Sequence, residues 1–89
     1  MTFEKLAQII ADEFKQVMQE EDFDTFEEMK DCYWWDTEDI KNEIEYYFKE
    51  VTEKSDCGVW FSDDRTDVYI DDDYISYRKF STMWHKAVA

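Results

Sequence analysis

Proline is absent from this chain, glycine occurs once at Gly58, histidine once at His85, and cysteine twice at Cys32 and Cys57. A single glycine excludes a Gly-rich phosphate loop. Two cysteines far apart, with no CxxC partner, argue against a disulfide framework, a zinc site or a redox pair, and both are expected as buried free thiols. A reduced, cytoplasmic chain fits that usage. His85, between Trp84 and Lys86, reads as a surface or packing residue rather than a base. No apolar run approaches the roughly 20 residues needed to cross a bilayer. The start Met1-Thr2-Phe3-Glu4-Lys5 lacks the basic and apolar regions of a signal peptide. Bases are scarce: ten against 24 acids, for a formal net charge of −14. Membranes and nucleic acids both present negative charge, so neither is expected as a direct partner.

What is present in quantity is the aromatic ring. Rings make up 19% of the residues, which separates this chain from acidic sequences that stay disordered for want of apolar surface. The length suits one domain, residues 1–89. Solubility in a small domain needs a net charge magnitude of only about 2 to 8. The excess therefore suggests that charge is itself functional, because self-repulsion opposes compaction.

Hydrophobic period predicts an α+β fold, with N-terminal helices packed on a small antiparallel sheet. Phe3, Leu6, Ala7, Ile10, Phe14, Val17 and Met18 recur at helical spacing behind a Thr2 cap, to about Glu20. Asp24 and Glu27 form a capping-box pattern opening a shorter helix with Phe26, Met29 and Tyr33 inward. Asp36 or Thr37 caps a third helix with the stripe Ile40, Ile44, Tyr47, Phe48 and Val51, ending near Lys54. Gly58 then offers a left-handed or extended backbone. Val59–Phe61 and Asp67–Ile70 read as a hairpin turning at Ser62-Asp63-Asp64-Arg65. Tyr74–Phe80 fits a third strand followed by a short helix capped by Ser81, although Tyr77, Phe80, Trp84 and Val88 also share a helical face. Most rings, Tyr33-Trp34-Trp35 included, are expected in the core, with a homodimer contact as the alternative use of that cluster.

Charge is uneven along the chain. Through Asp56 there are 18 acids and six bases; from Cys57 onward there are six acids and four bases. The candidate partner-binding residues are Glu20, Glu21, Asp22, Asp24, Glu27, Glu28, Asp36, Glu38, Asp39, Glu43, Glu45, Glu50, Asp63, Asp64, Asp71, Asp72 and Asp73. On the third helix the apolar stripe directs most of its acids outward. Rows of carboxylates about 5 to 6 Å apart resemble phosphate rows to a protein that grips charge with Lys and Arg. Beyond Asp73 only bases remain, and the tail Arg78, Lys79, Lys86 either pairs with the acidic helices or makes a separate contact.

Other chemistries are thinly supported. No catalytic residue, metal site or cofactor is assigned. Glu13-x-Lys15 lies in a helix rather than in a nuclease strand. Asp63-Asp64-x-x-Asp67 and Asp71-Asp72-Asp73, on neighbouring turns, have oxygens for a hard cation but lack the glycine and final Glu of an EF-hand loop. Asp also favours turns for its own backbone bonds.

In size, acidity, aromatic content and lack of catalytic motifs, the whole chain resembles the small acidic DNA-mimic inhibitor proteins of phages and mobile elements. That class includes anti-CRISPR, anti-restriction and uracil-DNA glycosylase inhibitors. The resemblance implies a non-enzymatic protein whose carboxylates stand in for phosphates and occlude a basic nucleic-acid-binding protein of nuclease or CRISPR-effector type in the host cytoplasm. Exposed Trp34 or Trp35 would add an anchor. The alternative is an acidic interaction module, such as an antitoxin, immunity protein or adaptor, binding a basic partner without mimicry. Monomer and homodimer both remain open.

Overall fold

The computed structural model describes all 89 residues. Helix α1 spans Phe3–Glu20, and the Thr2 hydroxyl accepts the Lys5 N–H at 3.1 Å, satisfying one of the free donors of its first turn. Helix α2 spans Phe26–Tyr33. Its cap is Thr25 rather than Asp24: the Thr25 hydroxyl takes the Glu28 N–H at 3.1 Å, and the Glu28 carboxylate takes the Asp24 N–H at 3.2 Å. The sequence holds two acceptor/Glu pairs one residue apart, and the later register places Phe26 and Met29 inward. Tyr33, expected inward, ends 40% exposed.

Helix α3 spans Thr37–Lys54 and opens on a capping box: Asp36 accepts the Asp39 N–H at 2.8 Å, and Asp39 accepts the Asp36 N–H at 3.1 Å. The expected stripe Ile40, Ile44, Tyr47, Phe48 and Val51 is buried in full. Strands β1 (Val59–Phe61), β2 (Asp67–Ile70) and β3 (Asp73–Ser76) form an antiparallel meander in the order β1-β2-β3, pairing Trp60 with Tyr69 and Tyr69 with Tyr74.

The chain after β3 corrects the expected long strand. Strand pairing stops at Ser76, whose hydroxyl caps α4 (Tyr77–Val88) by accepting the Lys79 N–H at 3.1 Å. Ser81 is not a cap; it lies inside α4, with its hydroxyl 3.1 Å from His85 Nδ1. The spacing of Tyr77, Phe80, Trp84 and Val88 wins because all four enter the core, which a strand of alternating faces could not achieve.

All buried side chains join one apolar cluster, and none is polar or charged. α4 packs on α1, α3 packs on β1, and Phe14 stands at the centre. Its ring lies 5.0 Å from that of Trp84, 5.1 Å from Phe26 and 5.3 Å from Tyr47. Phe48 bridges to the sheet at Phe61, 5.0 Å away. The tail therefore docks through its apolar face, leaving Arg78, Lys79 and Lys86 exposed and outside ion-pair reach of any acid. Neither thiol is fully buried as expected: Cys32 is exposed and Cys57 half-buried.

Candidate partner-binding surface

The acids divide by what the fold already asks of them. Glu27 and Glu28 lie in the first turn of α2, and Glu38 and Asp39 in that of α3, where the helix dipole favours negative charge. Asp36 and Asp39 cap α3, and Asp39, Glu43, Glu45 and Glu50 are half-buried rather than fully outward. Arg65, at the first hairpin turn, reaches back to Glu38 at 3.6 Å and Glu45 at 3.2 Å, and Lys41 lies 3.9 Å from Glu38. These two acids hold the hairpin on α3. Glu27 pairs with Lys30 at 3.5 Å.

The turn acids are also partly committed. Asp64 accepts from the Thr66 hydroxyl at 2.7 Å, the Thr66 N–H at 3.1 Å and the Ser62 hydroxyl at 2.9 Å. The Thr66 hydroxyl, then its N–H, then Ser62 hold the Asp64 carboxyl below the usual aspartate range. Asp71 accepts the Gly58 N–H at 2.9 Å and returns its own N–H to the Gly58 carbonyl at 2.9 Å. Asp72, Asp73 and Asp63 are exposed. The two Asp turns sit at opposite ends of β2, so they do not share one cation as their nearness in sequence suggests.

A different group makes no ion pair, and its one side-chain bond is from the Gln16 amide to Glu20 at 3.3 Å. Glu20, Glu21 and Asp22 crowd the C-terminal end of α1, where no base occupies the last turn and the helix dipole opposes negative charge. Asp22 is also at φ 64°, a left-handed conformation that favours glycine. Tyr33 of α2 lies beside this corner: burial, then the Glu21 charge, then Cys32 push its phenol pKa up. Phe23 and Trp35 flank Tyr33 at ring distances of 5.8 and 5.2 Å. Next to them Trp34 is 89% exposed, at φ 58° and ψ 34° in the closing position of α2. The expectation that most of the Tyr33-Trp34-Trp35 cluster is buried fails here, and Trp35 alone packs partly on the core. Two 18-residue helices and the sheet already fill the interior around Phe14 and Trp84, so the α2–α3 link keeps its rings outside.

A second acidic group crosses between helices. Burial first, then the Glu43, Glu13 and Glu50 charges, raise the Tyr47 pKa. The pKa of Tyr46, 59% exposed, is likewise raised, first by Glu50 and then by Glu53 and Glu13. Glu13 of α1 was not among the candidates; facing α3 beside Tyr47 is a tertiary property that helical spacing does not reveal. The rings on the outer sheet face, Trp60, Tyr69 and Tyr74, were likewise not among the candidates. Their signal is the alternation itself: with Val59, Phe61, Val68 and Ile70 inward, the residues between them must point out.

No group of three or more His, Cys, Asp or Glu side chains converges in a metal-holding arrangement, and no helix is long and apolar enough to cross a membrane. Comparison with protein-family models, curated proteins and solved structures finds no match to this chain.

Proposed function

We propose that this protein is a non-enzymatic acidic inhibitor that occupies the nucleic-acid-binding groove of a basic host protein of nuclease or CRISPR-effector type. The observation that carries this reading is the corner Glu20-Glu21-Asp22 beside Tyr33, together with the exposed Trp34 that follows Tyr33 in the chain. Acids are held there against a helix dipole, and the Trp34 ring is held in solvent in a backbone conformation that disfavours it. Carboxylates of this corner meet Lys and Arg that otherwise grip phosphate, and Trp34 supplies an anchor that loses water on contact.

The test is capture from host lysate on tagged protein at low salt, followed by elution with duplex DNA or single-stranded RNA. The expected result is one nucleic-acid-binding protein, released competitively by its own substrate and by salt, and no longer retained by Trp34→Ala or by Glu20→Gln/Glu21→Gln. Capture of a basic protein indifferent to both nucleic acids overturns mimicry and makes the corner a docking face of an antitoxin, immunity or adaptor module.

A further inference from the structure

The outer face of the sheet carries a continuous ladder of rings. Trp60 stacks on Tyr69 at 5.5 Å with an interplanar angle of 3°, and Tyr69 meets Tyr74 at 5.4 Å and 31°. Trp60 is 44% and Tyr74 62% exposed, and no helix covers them. Gly58 makes room for this row, since a Cβ there would stand 2.8 Å from the Trp60 ring. Asp67 lies one rung away on the same face, and Asp71 and Asp72 form the turn beyond the other side. The three strands contain no Lys, Arg or His. Along the strands the face is thus aromatic in the middle with Asp carboxylates at both ends, and at its β1 edge Lys49 and Glu53 of α3 border Trp60.

We propose that this ladder is a second docking face, and that its occupant is an extended arginine-bearing segment of the basic target, an inference that rests on the inhibitor reading above. Charge complementarity selects that occupant. Guanidinium planes stack on Trp and Tyr better than ammonium groups do, their alkyl stems cover ring edges, and the flanking Asp carboxylates receive their N–H donors.

The test uses the intact protein with (Gly-Arg)4 and (Gly-Lys)4 peptides in about 0.1 M NaCl, where exposed charges more than ~10 Å apart are screened. Amide and indole NMR shifts report the contact. The expected result is movement of the Trp60 indole N–H and of the amides of 67–76, tighter binding of the arginine peptide, and a loss of about fivefold in Tyr74→Ser, on an edge strand, and in Trp60→Ala. Asp67→Asn weakens both peptides. Shifts confined to Glu20–Asp22 and α3, or equal affinity in a folded Tyr74→Ser, overturn the ladder while leaving the inhibitor reading intact. Arginine-selective binding at the ladder, with a captured target that ignores nucleic acid, upholds the ladder and overturns mimicry alone.

Discussion

At the residue scale the most informative side chain is Tyr47, because one phenol reports both the core and the acidic group shared by α1 and α3. Its ring packs on Phe14, and its hydroxyl faces carboxylates from two helices. A phenol whose folded pKa is raised adds no pH dependence below its unfolded value of 10.0, and stability falls as pH climbs above that, because the unfolded chain sheds the proton first. Tyr77 acts in the same direction, chiefly through burial. Alkaline unfolding followed by absorbance and circular dichroism is expected to show these phenols titrating together with loss of structure. Tyr47→Phe is expected to lessen the alkaline fall by at most one proton; an unchanged slope sinks this assignment. Asp64 has the opposite sign: its lowered pKa favours the fold at neutral pH, a contribution lost as pH falls through the folded value.

At the element scale, period and caps were legible wherever one register alone satisfied the core. α3 and the first hairpin follow their apolar residues residue for residue and α1 follows them closely, with Phe3 and Val17 at the half-buried margin and Ala11 added to the core, because burial of one face fixes each of them. Competing signals defeated the reading elsewhere. Asp24 and Thr25 are adjacent residues that can each cap a helix, and only Thr25 does; Tyr74–Phe80 satisfies both periods until Trp84 and Val88 decide for the helix. The α2–α3 link was opaque for a further reason: hydrophobicity predicts burial of Trp34, while the packed interior leaves it no place. Its left-handed backbone costs a β-carbon-bearing residue about 1 to 2 kcal/mol. Trp34→Gly is therefore expected to raise stability by about 1 kcal/mol in urea unfolding while abolishing target capture. A stability loss instead would mean that the indole packs on the fold.

At the scale of the whole molecule, charge is distributed where few cations answer it. Glu27, Glu38 and Glu45 are the acids within ion-pair reach of a base, and exposed pairs of this kind contribute about 0 to 1 kcal/mol. Repulsion among the rest is long-ranged and screenable. Raising NaCl to about 1 M, where the Debye length is ~3 Å, is expected to raise the thermal midpoint, by about 4 to 8 °C for each 1 kcal/mol of repulsion relieved. A midpoint indifferent to salt would show that acids and bases are locally balanced. The sequence conveyed this acidity in full but not its sorting. Which carboxylates cap helices, which hold Arg65 and which stand without an ion-pair partner at the end of α1 depends on contacts between elements.

The backbone turns left-handed at four residues, Asp22, Trp34, Arg65 and Asp71, one between each consecutive pair of elements from α1 to α2, α2 to α3, β1 to β2 and β2 to β3. An 89-residue chain has no spare length for display loops. It bends instead on charged and aromatic residues: Arg65 and Asp71 turn inward to tie the hairpins down, while Asp22 and Trp34 point away from the fold, so that these two corners are also something a neighbour can grasp, and glycine at those two would let the chain fold more readily and have less to show.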